Sequence, residues 1–339
     1  MRLLQAMGGA RHGGAEGFFL RLAVALQRAG QDQLVLLRHA DHGAILRAAG
    51  IAVRELSFGG LLDRTTASGF RRAVAEYRPD IVLTWMSRAS RLCPDGDFVH
   101  VARLGGHYDL KSYRGCDHLI FNTHDLVASF IARGWPAERA HYLPNFAAAA
   151  AAAPVARDSL ATPDGVPLAL ALGRLHENKG FDVLLAALAR VPDLHLWLAG
   201  EGPLRGDLES QAVSLGIAGR VRFLGWRDDV PALLAAADFL VSSSRHEPLG
   251  NVVIEAWAAE RAVIATAAAG PRELIRDGES GLLAPLEDAA ALAAALARLA
   301  ANLALRARLA AGGRAAYAAQ FTESAVVRRY QDFFAAVTR

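Results

Sequence analysis

Residues 173–180 read GRLHENKG, with the apolar run PLALAL before them and the apolar-periodic FDVLLAALARV after. Two cations, Arg174 and Lys179, therefore stand between Gly173 and Gly180 in a strand-to-helix turn. An Arg can fork onto two phosphate oxygens, and a Lys is a compact charge on a flexible stem. Together they suit a diphosphate, each charge-assisted hydrogen bond contributing roughly 1.5–3 kcal/mol. The Lys stands out, because of 37 Lys plus Arg only Lys111 and Lys179 are lysines. A second stretch, SSSRHEPLGNVVIEAW (242–257), carries Glu247 and Glu255 eight residues apart. If Asn251 opens a helix, Glu255 lies about one turn in, on the same side. The start at Leu249, Gly250 and Asn251 would then turn its amides to a phosphate. One carboxylate could accept from sugar hydroxyls and the other from a ribose diol. A third stretch, GGARHGGAEG (8–17), offers bare amides at another helix start. It lacks G-x-G-x-x-G, and LRHADHG after the next strand holds no clear ribose acid. Each stretch alone is unremarkable, and their chemistry becomes specific only in combination.

The elements that must carry these residues alternate. Strands are expected at 2–7, 33–37, 51–56, 80–85, 98–103 and 118–122, and again at 167–172, 194–200, 220–225, 238–243 and 262–266, with helical patterns between them. Such alternation predicts parallel sheets covered on both faces. A break at 147–165, with seven alanines followed by Pro, Asp and Gly, reads as a linker. The expected division is a first domain at 1–150, a linker at 151–165, a second domain at 166–320 and a closing helix at 321–339. Each domain reads as a doubly wound α/β sheet, with ligands beyond the carboxyl ends of its strands.

Composition narrows the class. A chain of 339 residues with 53% hydrophobic and 21% charged residues is globular and long enough for two domains. Net charge is only +3, and the preference for Arg over Lys is what a GC-rich coding bias produces. Cys93 and Cys116 form neither a disulfide framework nor a zinc spacing. No uninterrupted apolar run reaches spanning length, and the N-terminus lacks an export signal. A soluble, cytoplasmic protein is expected, able to touch a membrane from outside.

The order and spacing of the pieces over 168–286 resemble a family 4 glycosyltransferase of the retaining type. These are LALALGRLHENKGFDVLLAAL, LAGEGPLR, VRFLGWRDDVPALLAAADFLVSSSRHEPLGNVVIEAWAAERAVIAT and GPRELIRDGESGLLAP. The N-terminal half matches less specifically, through GGAEGFFLRLAVALQRAG, RGCDHLIFNT and HYLPNF. The resemblance implies the GT-B architecture, two Rossmann-like domains facing across a cleft, closed by a final helix that returns to the first domain. It implies that Arg174 and Lys179 hold the donor diphosphate beside Gly173. Glu247 would face the donor sugar and Glu255 the ribose, as the ends of a Glu-x7-Glu motif. Leu249, Gly250 and Asn251 would form the phosphate-binding helix start, and Gly14 a flexible glycine loop. Trp226 and Arg227 fall where the base is met, with Glu201 and Gly202 on the same wall. His107 is the nearest match to the family's histidine near the donor sugar, although it is offset from the usual place.

The implied reaction moves a sugar from a nucleotide-diphosphate donor to a hydroxyl. Cations and helix amides oppose the charge that grows on the leaving group, so no metal or other cofactor is expected. The one Asp-x-Asp, Asp95-Gly96-Asp97, reads as a turn. Arg64, Arg71, Arg72, Arg78, Arg88, Arg91 and Arg103, with Lys111 and Arg114, would give the first domain a basic rim. That rim suits an anionic glycolipid or a lipopolysaccharide core at an anionic membrane surface; no nucleic acid is expected. A sugar-nucleotide epimerase of the same architecture and a Rossmann-type NAD-dependent oxidoreductase are the alternatives. The first does not account for the Glu-x7-Glu and GRLxxxKG pieces, and the second lacks its glycine fingerprint.

Overall fold

A computed structural model describes residues 1–11, 13–59, 63–148 and 152–338. The chain forms two compact units, Met1–Phe146 with Glu323–Arg339, and Ala147–Thr322.

Unit 1 holds seven parallel strands: β1 (Arg2–Met7), β2 (Asp32–Leu37), β3 (Ala52–Glu55), β4 (Ile81–Trp85), β5 (Val99–Leu104), β6 (His118–Phe121) and β7 (Ala140–Tyr142). Their order is β3-β2-β1-β4-β5-β6-β7. The connecting helices are α1 (Gly14–Arg28), α2 (Ala40–Ala48), α3 (Arg64–Tyr77), α4 (Met86–Leu92) and α5 (His124–Ala132). β1 and β4 run as RLLQAM and IVLTW, apolar on both faces because helices cover both.

Unit 2 repeats the winding with β8 (Leu168–Leu172), β9 (His195–Ala199), β10 (Val221–Gly225), β11 (Phe239–Ser242), β12 (Ala262–Thr266) and β13 (Leu282–Ala284), in the order β10-β9-β8-β11-β12-β13. Its helices are α6 (Phe181–Leu188), α7 (Arg205–Ser214), α8 (Val230–Ala236), α9 (Asn251–Ala258), α10 (Ala269–Leu274), α11 (Ala289–Ala301) and α12 (Leu303–Gln320). In each unit the winding reverses once, between β1 and β4 and between β8 and β11. The crevice at such a reversal, beyond the carboxyl ends, is where open α/β sheets take ligands.

The last helix, α13 (Glu323–Val337), packs on unit 1. Its Val326, Val327, Tyr330, Phe333 and Phe334 join the core of Phe18, Phe19, Leu22 and Trp85. Each fully buried apolar side chain of this size contributes about 1.5–3 kcal/mol, which is ample to hold a helix far along the chain.

The boundaries differ from the sequence expectation. The division falls at 146/147 and 322/323, and the stretch expected as a linker belongs to unit 2. Val155 N–H donates to the Ala232 carbonyl at 3.2 Å, and the Arg157 guanidinium reaches the carbonyls of Val166 and Ala236 and the carboxylate of Asp238. Buried Thr162 accepts from the Trp197 indole at 2.8 Å. A low-complexity run hid these polar anchors. Alanines 149–151 lie outside the described residues. The two strands not expected, β7 and β13, have three residues each, too few for a periodic signal.

Candidate active site

The segments after β8 and β11 flank the reversal of unit 2, and backbone bonds fasten one onto the other. Glu177–Lys179 forms a single 3-10 turn ending at Gly180, in the left-handed region at φ 58°. A side chain at Gly180 would be strained and would collide with the Ser243 carbonyl oxygen, so only glycine lets the turn lie on the second segment. Ser243 Oγ donates to the Lys179 carbonyl at 2.8 Å, and the amides of Arg245 and His246 donate to the Asn178 carbonyl at 2.8 and 3.2 Å.

This stitching brings together Lys179 and Glu247, 68 residues apart. Lys179 Nζ lies 2.5 Å from Glu247 Oε2, and the side chains are 23% and 13% exposed. Ser244 Oγ donates to the same carboxylate oxygen at 3.4 Å. Sequence reasoning assigned these residues to different parts of a ligand; here each is the other's counterion. Arg174 is exposed and makes no ion pair among the described residues.

α9 begins at Asn251, as its spacing predicts, with Glu255 one turn later. Its N-cap is Gly250 at φ 93°, without a side-chain cap. Asp63, Thr123, Asp288 and Asn302 cap α3, α5, α11 and α12 through their side chains, while α1, α2, α4, α6, α7, α8 and α10 share with α9 the lack of such a cap. A helix start carries partial positive charge that favours an anion. Leu249 is buried. Gly270 N–H donates to the Glu247 carbonyl at 2.8 Å, bracing the loop from α10.

Arg245, not singled out in the sequence, clamps this loop from behind. It donates to both Asp182 carboxylate oxygens, at 2.7 and 2.6 Å, to both oxygens of Glu287, and to the Glu177 carbonyl at 2.9 Å. The bonds from Arg245 hold the Asp182 carboxyl below its ordinary range, and those to Asp182 and then Glu287 hold the guanidinium above its own. The bidentate geometry resists rotation of the loop bearing Glu247.

The other expected residues line neighbouring turns. Gly173 donates to the Ala199 carbonyl at 3.0 Å, and Leu175 N–H to the Glu201 carbonyl at 2.9 Å. Gly202 packs so closely on the Leu175 carbonyl that a Cβ would collide with it. The Glu201 side chain faces Arg205 at 3.2 Å. Trp226 is 60% exposed, its indole donating to Asp228 Oδ1 at 2.8 Å. Arg227 forks onto Asp229 at 2.7 and 2.5 Å, holding the Asp229 carboxyl low.

In unit 1, His107 is 46% exposed, with Nδ1 3.3 Å from Ser129 Oγ and Nε2 3.9 Å from Asp125. Gly14 is the first residue of α1. Arg103, expected on a basic rim, is 3% exposed. Its guanidinium lies over Phe18 and Trp85 at 4.6 and 4.8 Å and donates to Tyr330 Oη at 3.0 Å and to Asn145. The sequence shows its charge but not this aromatic cage, so it is removed from the rim. Asp95 and Asp97 lie in the loop between α4 and β5. Among the described residues, no three of His, Cys, Asp and Glu gather as a metal seat, and no single helix is long and apolar enough to cross a membrane.

Two parallel sheets of one winding are the GT-B fold that solved glycosyltransferases share. The structure of Anabaena HepE with UDP and glucose shares this fold at a TM-score of 0.85 and 22% identity, over 99% of this chain and 100% of that one. Residues 166–302 match the family described as glycosyl transferases group 1. The lipopolysaccharide core biosynthesis glycosyltransferase LpsE of Rhizobium meliloti is 37% identical over 330 residues, 96% of each chain. LpsD of the same organism, also a lipopolysaccharide core biosynthesis glycosyltransferase, is 36% identical over 330 residues. The chain belongs to the group 1 glycosyltransferases. It is an enzyme that transfers a sugar, and the epimerase and oxidoreductase readings fall away.

Proposed function

We propose that the chain transfers a sugar, with retention at the anomeric carbon and without a metal, from a nucleoside-diphosphate sugar to a hydroxyl of a lipopolysaccharide core. The observation that carries the donor half is the Lys179–Glu247 pair beside the Gly250-capped start of α9. An arriving diphosphate gives Lys179 a second, more highly charged partner. Glu247 is then released to accept from hydroxyls of the donor sugar. Lys179, Arg174 and the α9 amides oppose the charge that grows on the diphosphate as its bond to the anomeric carbon breaks. The acceptor oxygen bonds to that carbon on the same face, and its proton passes to the departing phosphate oxygen. Glu255 holds the ribose, while Trp226, Arg227, Glu201 and Gly202 border the base.

The acceptor half rests on LpsE and LpsD, whose names state lipopolysaccharide core biosynthesis. Exposed Arg71, Arg72, Arg78, Arg91, Lys111 and Arg114 of unit 1 suit a phosphorylated core held at the cytoplasmic face of an anionic membrane. His107 is the unit 1 residue we assign to the donor sugar. HepE was solved with UDP, which makes UDP the first nucleotide to try.

The test is calorimetric titration of UDP, GDP and ADP into the wild type and Lys179→Ala. One nucleotide should bind, at least tenfold more weakly to the variant. Unchanged affinity in the variant would move the diphosphate away from Lys179. For the membrane, equal retention on neutral and anionic vesicles at low salt would remove the peripheral attachment.

A further inference from the structure

Within unit 2, the Glu247 carboxylate is held by one oxygen only. Oε2 takes both contacts, from Lys179 Nζ at 2.5 Å and from Ser244 Oγ at 3.4 Å. Oε1 makes no hydrogen bond to any described residue. The main chain of Glu247 is fixed as well. Gly270 N–H donates to its carbonyl, and Gly270 sits so tightly that a Cβ there would collide with the Leu249 carbonyl. Ser244 is the last of three buried serines, 242–244, at the end of β11, and is 1% exposed. Thr266 closes the neighbouring strand β12, is 2% exposed, and donates Oγ1 to the Ser244 carbonyl at 2.6 Å. Buried hydroxyls are kept where they have partners, and three of these serve the same pair. Ser243 holds the Lys179 main chain, Ser244 the Glu247 carboxylate, and Thr266 the main chain of Ser244. The last torsion of a glutamate side chain is broad and roughly two-fold. Two donors on one oxygen set which oxygen is which, and Ser244 is the one that remains when an anion draws Lys179 away.

We propose that Ser244 is a positioning residue for the donor sugar, with Thr266 as its support. Ser244 keeps Oε2 when the diphosphate engages Lys179, so Oε1 is the oxygen offered to a sugar hydroxyl. This rests on the donor reading given above and adds two residues to it. The loss of the Ser244 hydroxyl is then felt by a nucleotide that carries a sugar and hardly by one that does not.

The probes are UDP and UDP-glucose, with both of which HepE was solved. They are titrated calorimetrically into the full chain as wild type, Ser244→Ala, Thr266→Val, Thr266→Ser, Glu247→Ala and Ser244→Ala/Glu247→Ala. Ser244→Ala should weaken UDP-glucose at least fivefold and leave UDP within twofold. Thr266→Val, which keeps the shape and loses the hydroxyl, should weaken UDP-glucose in the same direction. Thr266→Ser, which keeps the hydroxyl, should stay within twofold of wild type. In the Glu247→Ala background Ser244→Ala should cost UDP-glucose almost nothing further, the signature of one shared interaction. Equal losses for UDP and UDP-glucose would overturn the proposal, because Ser244 would then only build the loop. So would a Ser244→Ala penalty that survives without Glu247, or a Thr266→Ser variant as poor as Thr266→Val. Should another base bind in place of UDP, the same contrast is read with that diphosphate and its sugar. Lys111 and Lys179 are the only lysines, which gives a readout free of ligand. With carbon-13 at lysine Cε, Ser244→Ala should move the Lys179 signal and leave that of Lys111 in place; an unmoved Lys179 signal would overturn the anchoring of Oε2. If the wild type binds no nucleotide, the donor reading falls and the role of Oε1 with it, while the Lys179 signal still judges Oε2.

Discussion

The two sheet reversals share one winding and treat negative charge in different ways. In unit 2, α9 starts at a glycine without a side-chain cap, and the carboxylate of Glu247 in the loop before it is paired with Lys179. In unit 1, α1 also starts at a glycine, but Glu16 turns back into the loop before it. At one start the loop carboxylate is paired with a lysine, and at the other a carboxylate of the helix itself accepts from the loop. A glycine-rich strand-to-helix turn therefore does not reveal, on composition alone, how charge is arranged at it.

The comparison can be broken most severely at the cation–carboxylate pair. Glu247→Gln or Lys179→Ala should lower kcat/KM by about 100-fold or more, the scale set by losing a group that stabilises transition-state charge. Steady-state assays at fixed acceptor check this, and a loss below about fivefold would place the chemistry elsewhere. Next come the two capping glycines. Gly250→Ala must force φ 93° on a side chain, a strain of about 1–3 kcal/mol. Its penalty on nucleotide affinity should persist in a Glu247→Ala background, whereas the loss of stability from Gly13→Ala, whose added Cβ meets only Glu16, should vanish without Glu16. Titration and scanning calorimetry on the two double variants test the contrast.

Arg245→Gln should have a smaller effect, a few-fold in kcat. It removes the clamp behind the loop and leaves Asp182 and Glu287 without their shared cation. Because all three side chains are partly exposed, the stability cost should be about 1 kcal/mol, measured by urea denaturation. The smallest effect concerns pH. His118 and His141 contact at 3.1 Å beside Phe333 of α13. Burial pushes both imidazoles below their ordinary value, His141 to about 4. In the unfolded chain they titrate near 6.5. The unfolded state thus binds more protons between those values, and this contribution to stability is full above about pH 6.5 and lost as pH falls towards 4. Scanning calorimetry at pH 7.5 and 5 should show the unit 1 transition falling further than that of unit 2, and His141→Phe should narrow the difference.

Most strands and the start of α9 were legible, because long apolar runs and a 3.6-residue period are local signals. The charges of the unit 2 site were legible too, as residue types. Their pairing was not, since Lys179 meets Glu247 only after β8 and β11 lie side by side. Glu16 stood in plain sight in GGAEG, but its meaning depends on the side chain folding backward. Arg103 reads as surface charge until its ring neighbours arrive from three distant segments. The anchors of 155–166 escaped notice for the same reason, beneath a composition that resembles spacer.

The return of α13 to unit 1 bears on the order of synthesis. A chain is made from its N-terminus, and domains generally fold as units. Unit 2 is complete once residue 322 has emerged, but unit 1 must wait for Tyr330, Phe333 and Phe334. Until then the apolar face of α1 is uncovered, and Arg103 lacks the phenol it donates to. The half begun first is thus the half finished last. A premature stop before residue 330 would strand an open core rather than merely trim a tail.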